Sequence, residues 1–188
     1  LACIEELTFD VFGTLVDWET GIAGAIAPVL QEQGITVDVD ELLRAYARAE
    51  SAEEAGLYRP YREVLRRTLA GMAKDLGFRV TGENADVLVD SLPRWPLFAD
   101  TARALARLGQ GRSLGVISNV DEDLFAPVRS RLGARIDHVV TAESVRAYKP
   151  DPAPFEAMRG RLHADGVPSD RWLHVAQSGY HDVAPTRE

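Results

Sequence analysis

Four short stretches of this 188-residue chain hold side chains that could carry out covalent group transfer. In LTFDVFGTLVD at 7–17, Asp10 closes an apolar run and Thr14 follows it across a glycine turn. Ser118 and Asn119 end the apolar run SLGVI at 113–117. Lys149 stands in YKPD at 148–151, and QSGYHD at 177–182 ends in Asp182 after the run WLHVA at 172–176. A carboxylate, a hydroxyl–amide pair, an ammonium and a second carboxylate therefore each follow an apolar segment. A carboxylate beside an ammonium stays deprotonated, and covalent catalysis needs the free anion. Taken singly, each group has a plain explanation: a turn aspartate, a helix cap ahead of DED, a solvated loop lysine. Their shared placement, in order, favours one common site.

Positioning those groups requires the apolar runs to be strands of one sheet. Residues 4–11 alternate, with Leu7, Phe9 and Val11 on one side and Thr8 and Asp10 on the other. Segments 113–117, 137–141 (DHVVT) and 172–176 read as further strands, and 101–108, 123–132 and 154–163 as helices. The alternation predicts a parallel sheet with helices on both faces. In such sheets ligands bind outside the carboxyl ends of the strands. From Trp18 to about Trp95 the pattern is helical instead. Val39, Leu42, Leu43, Tyr46 and Ala49 recur at turn spacing, with Asp38 or Asp40 as N-cap. Tyr61, Leu65, Leu69, Met72 and Leu76 form a second stripe, ended by Gly77, whose Tyr and Met read as core. A third helix is expected over 84–91, before Pro93 and Pro96. The expected fold class is α/β, a parallel-sheet core from 1–16 and 95–188 with an inserted α-helical cap at 17–94.

Composition narrows the function. The net charge of −8, from 21 basic and 29 acidic residues, argues against nucleic acid or an anionic membrane as partner. A small anionic substrate remains compatible, because a pocket can carry local positive charge on an acidic protein. No apolar stretch approaches the roughly 20 residues needed to cross a bilayer, and no basic leader with a cleavage site opens the chain. Cys3 is the only cysteine, which excludes an internal disulfide and predicts a reducing, cytoplasmic setting. The start at Leu1 without Met leads us to expect missing residues there. The stop at Glu188, soon after the fourth strand, implies a lost C-terminal segment or a small sheet. His138, His163 and His174 lack metal-ligand spacing, and GQG at 109–111 reads as a turn. The expected partner is a small-molecule substrate, with a homodimer left open.

The set F-D-x-x-G-T-L-x-D, S-N, Y-K-P-D-P and a closing Asp resembles the haloacid dehalogenase-like hydrolase superfamily. The resemblance covers the core almost throughout, implies a Rossmann-like sheet, and makes the helical insert look like that superfamily's cap. It implies that Asp10 is the covalent nucleophile, oriented by Thr14, with Lys149 balancing its charge. Ser118 and Asn119 would bind substrate or the departing group. Asp182 would hold Lys149 or position the hydrolytic water, with His181 the weaker candidate for the water.

Most phosphatases of the superfamily carry a second aspartate two positions after the nucleophile, which protonates the leaving alkoxide and later deprotonates water. Phe12 stands there and can do neither. They also place a metal-binding aspartate where this chain has Gln177, a poorer ligand for a hard cation. A halide, by contrast, leaves without a proton. Both differences resemble the type II 2-haloacid dehalogenases and imply attack at carbon with no cofactor. Phe12 and Trp18 would then wall the halogen-bearing carbon, Gln177 would line the substrate, and Arg44 or Arg48 with Asn119 would receive the halide. Three positions depart from that pattern: Phe155 replaces a tyrosine, and Gln177 and Gly179 replace a serine and an asparagine. The expected reaction is hydrolysis of a small 2-halocarboxylate to the 2-hydroxy acid through an aspartyl ester. A Mg²⁺-dependent phosphatase and a non-catalytic scaffold of the same fold are the alternatives.

Overall fold

The computed structural model describes residues 4–183. The chain divides into two compact units, one formed by Trp18–Pro96 and the other by the described residues on either side of it.

The Trp18–Pro96 unit is helical: α1 Trp18–Glu32, α2 Val39–Glu54, α3 Tyr61–Leu76 and α4 Val87–Ser91. Asp38 caps α2, its carboxylate accepting the Asp40 N–H at 3.0 Å, which satisfies an otherwise orphaned helix donor. Gly77 ends α3 at φ 77°, a left-handed conformation that glycine adopts at least cost. The stripe Tyr61, Leu65, Leu69 and Met72 is buried, as is the Leu42 and Tyr46 face of α2. Between α2 and α3, the hydroxyls of Tyr46 and Tyr61 donate to Glu50 Oε1 at 2.6 and 2.5 Å. The third helix starts at Val87 rather than at 84, because Asn84 is spent in a turn. Its side-chain oxygen accepts the Thr81 N–H and its own carbonyl accepts from Val87. The structure also shows α1, which no single stripe had marked out.

The other unit holds strands β1 Glu6–Phe9, β2 Ser113–Ser118, β3 His138–Thr141 and β4 Trp172–Val175. They form one parallel sheet in the order β3-β2-β1-β4. Helices α5 Thr101–Leu108, α6 Glu122–Arg131, α7 Ala142–Val145 and α8 Ala153–Ala164 make the connections. Every residue of β1 is buried, as a strand covered on both faces should be. On β2 and β3, Ile117 and Val140 pack with Phe155, Met158 and Leu162 of α8. Burying each such side chain contributes roughly 1.5–3 kcal/mol. In register, Phe9 pairs with Val116 and Val175, and Ser118 with Thr141, so all four strands end on the same edge.

β1 is shorter than the 4–11 expected. After Asp10 the chain leaves the ladder, and the Val11 carbonyl accepts from Thr14, Leu15 and Val16 in a tight turn with Gly13 at φ 97°. The chain before α6 also differs from the capping explanation of Ser118-Asn119, since Asp121 is the residue preceding that helix. Among the described residues no helix is long and apolar enough to cross a membrane.

Candidate active site

The turn after β1, the end of β2, the segment between α7 and α8 and the turn after β4 deliver the groups marked by the sequence to one point. Lys149, only 2% exposed, is its centre. Its ammonium donates to Asp10 Oδ1 at 2.9 Å, Asp182 Oδ1 at 2.6 Å and the Ile117 carbonyl at 3.0 Å, which uses all three N–H donors. The turn that carries Gly13 brings Thr14 back over the strand end, and its hydroxyl donates to Asp10 Oδ2 at 2.9 Å. Thr14 Oγ1 in turn accepts the Gln177 N–H at 3.1 Å, which leaves the hydroxyl proton for Asp10. Both carboxylate oxygens of Asp10 are thus fixed by donors, and its own N–H is held by the Val175 carbonyl.

Burial sets the electrostatics. It works against the charge on Lys149, but Asp10 and Asp182 outweigh it and raise the lysine pKa above its ordinary value. Burial alone would raise Asp182, yet the hydrogen bond from His174 and the charge of Lys149 hold it below the usual carboxylate value. His181 is pushed down, by burial first and by Lys149 second, and its Nδ1 lies 3.2 Å from the Ser178 hydroxyl. Two carboxylates sharing one ammonium leave the cluster with an excess negative charge when both are ionised. The arrangement presents an oriented carboxylate with a second carboxylate across the same cation.

The other sequence-marked residues divide. Ser118 is buried and, among the described residues, its hydroxyl has no hydrogen-bond partner. Asn119 instead clamps the main chain of Lys149. Its amide donates to the Lys149 carbonyl at 3.1 Å and its oxygen accepts the Lys149 N–H at 2.8 Å. Gln177 is exposed and reaches the site through its backbone N–H. Phe12 is half-buried in the turn and pairs with Val16 through the backbone. Trp18, Arg44 and Arg48 belong to the helical unit. There the Trp18 ring lies 5.7 Å from Tyr46, and the two guanidiniums pair with Asp40 and Asp75.

Sequence reasoning missed His174, whose Nε2 lies 3.0 Å from Asp182 Oδ1, together with Thr8 and Trp172 behind it. The available signal was polarity inside buried strands: Thr8 and His174 are direct register partners on β1 and β4.

Asp10 and Asp182 are both bound to Lys149, and among the described residues no three His, Cys, Asp or Glu side chains come together to hold a metal.

The parallel α/β sheet thus ends in an aspartate, a lysine and a second aspartate gathered around one ammonium. The family model described as haloacid dehalogenase-like hydrolase matches residues 7–175, and this chain belongs to that family. It is similar to an (S)-2-haloacid dehalogenase of Pseudomonas putida, 23% identical over 180 residues, covering 94% of this chain and 79% of that protein. It is also similar to a phosphoglycolate phosphatase of Yersinia pseudotuberculosis, 28% identical over 182 residues, covering 93% of this chain and 73% of the other. Among solved structures, the L-2-haloacid dehalogenase from Xanthobacter autotrophicus with chloropropionic acid covalently bound superposes with a TM-score of 0.81. That match has 20% identity and covers 98% of this chain and 74% of that one. The structural likeness establishes the fold.

Proposed function

We propose that this hydrolase is a metal-independent 2-haloacid dehalogenase. The observation that carries the reading is Phe12, an aromatic ring where proton transfer to an alkoxide leaving group would need a carboxyl. Gln177, an amide where a hard cation would be better served by a carboxylate, supports it. An Asp10 carboxylate oxygen attacks the α-carbon in line, the carbon–halogen bond breaks, and halide leaves with the bonding pair. The aspartyl ester that forms has inverted configuration at that carbon. Water then attacks the ester carbonyl carbon, and the acyl–oxygen bond breaks. One of the water's protons goes to the alkoxide and the other to solvent, giving the 2-hydroxy acid and the free Asp10 carboxylate. Asp182, held by Lys149, aligns that water, and Ser118 contacts the substrate. The reading assigns no cofactor and a small 2-halocarboxylate as substrate.

The test is chloride release from 2-chloropropionate in the presence of EDTA, with turnover in H₂¹⁸O and mass spectrometry of the Asp10 peptide. Label in Asp10 is the expected result. Label in product alone, or halide release abolished by EDTA, overturns the reading. The phosphatase relative supports a second reading, which predicts Mg²⁺-dependent hydrolysis of p-nitrophenyl phosphate.

A further inference from the structure

Trp172, Thr8 and His174 lie behind the site, and the reaction outlined above does not use them. The Trp172 indole N–H donates to Thr8 Oγ1 at 2.7 Å. Thr8 Oγ1 lies 2.9 Å from His174 Nδ1, and His174 Nε2 lies 3.0 Å from Asp182 Oδ1. Donor and acceptor counting along this row leaves one good arrangement. An indole N–H can only donate, so Thr8 accepts from it and must place its own proton elsewhere. Thr8 is fully buried, and His174 Nδ1 is its other hydrogen-bond partner among the described residues. A proton on Nδ1, in the neutral or the charged ring, would strand the Thr8 hydroxyl proton without an acceptor, at the cost of an unmade buried hydrogen bond. Nδ1 therefore accepts, and Nε2 carries the proton toward Asp182. The ring is held from the side by Phe155, edge-on at 5.2 Å between centroids.

We propose that His174 is a positioning residue for the water step, locked by Trp172 and Thr8 in its Nε2–H tautomer so that it fixes Asp182 against Lys149. Phe155 cannot donate a hydrogen bond to the site, and His174 supplies a donor from the adjacent strand. The proposal rests on Asp10 as nucleophile and Asp182 as the group that aligns water. The donors to Asp10 itself, Lys149 and Thr14, do not pass through His174. Loss of His174 should therefore slow breakdown of the ester and spare its formation.

Two measurements on the full chain test this. In protein labelled with ¹⁵N-histidine, long-range ¹H–¹⁵N correlation reports the tautomer, with His174 assigned by its disappearance in His174→Gln. The Nε2–H form at neutral pH is expected, and Thr8→Val should release it to a mixture. An Nδ1–H or doubly protonated ring in the native chain overturns the proposal. In single turnover with 2-chloropropionate, His174→Phe should accumulate the Asp10 ester and slow its hydrolysis by about 10–100-fold, the size expected for losing a hydrogen bond to a charged group. Ester formation should stay within about 3-fold, and His174→Gln, which keeps an N–H donor, should recover most of the loss. Equal slowing of both steps, or no recovery by Gln, overturns it. If the native chain releases no halide, the leaving group is misassigned, and the tautomer measurement decides the role of His174 alone.

Discussion

Replacing Lys149 with Met removes the ammonium shared by Asp10 and Asp182 while nearly preserving side-chain volume, so the cost is electrostatic rather than a cavity. The Lys149 side chain is 2% exposed, that of Asp182 1%, and that of Asp10 10%. Removing one partner of a buried ion pair costs roughly 3–5 kcal/mol, because the other charge is stranded. Here two carboxylates are stranded, but Asp10 keeps some solvent access, so about 4 kcal/mol is expected. In a chain of this size that lowers the melting temperature by roughly 8–16 °C.

The assay is thermal and urea unfolding followed by tryptophan fluorescence, since Trp172 lies on β4. A second variant isolates the cause. Asp10→Asn alone should abolish turnover while costing under about 1 kcal/mol, because it removes the excess negative charge. Placed in the Lys149→Met background, it should restore about 2 kcal/mol. The acid limb adds a sign check. Asp182 titrates below the ordinary carboxylate value of 3.8, so its contribution is present above that pH and is lost as pH falls through the lowered value. In Lys149→Met that loss at low pH should shrink. A cost below about 1 kcal/mol for Lys149→Met, or no rescue by Asp10→Asn, would refute the shared-ammonium account.

Three further outcomes follow from separate parts of the molecule. Thr14→Val removes the donor to Asp10 Oδ2, and kcat should fall roughly 10–100-fold with little change in urea midpoint, as steady-state kinetics beside unfolding would show. Fully buried Glu6 lies 3.2 Å from His138 Nδ1, while His138 Nε2 lies 2.8 Å from Asp165. Burial raises Glu6, and it opposes the charge on His138 less than Asp165 and Glu6 favour it, so both groups titrate above their ordinary values of 4.5 and 6.5. Stability tied to them is present at lower pH and is lost as pH rises through the raised values. The urea midpoint should therefore decline as pH rises past the ordinary histidine value of 6.5, and the decline should flatten in His138→Gln. A Cβ at Gly21 would sit 2.3 Å from Trp95 Cγ, so Gly21→Ala should destabilise the helical unit by about 1–3 kcal/mol and shift Trp95 emission.

The sheet and most helices were legible because each relied on one dominant pattern. The α3 stripe ended at Gly77, and α5 was read at 101–108 as observed. Asp10, Thr14, Lys149 and Asp182 were legible because polar side chains at the ends of apolar strands have few structural reasons to be there. Short-range chemistry was harder to read. Helix α7 is a single turn held by reciprocal bonds between Thr141 and Ser144, and four residues carry no periodicity. The Tyr46 and Tyr61 positions were read as core, which holds, but their hydroxyls share Glu50, a polar pairing across two helices that spacing along one helix does not reveal. For Asn119 the sequence suggested a substrate ligand but gave no sign that its amide matches the backbone of a residue 30 positions away. His174 looked inert because its partners come from strand register and not from neighbours in sequence.

The surroundings of Asp10, the proposed nucleophile, are completed from far along the chain: Lys149 lies 139 positions beyond Asp10, and Gln177 lies 163 beyond Thr14. A nascent chain that has only its first strand therefore carries an ordinary, undirected aspartate. Such distant pairings form slowly in folding, so reactivity toward alkylating compounds should emerge late, once β4 has closed beside β1. Trapping of Asp10 by a substrate would then serve as a chemical clock for the end of assembly.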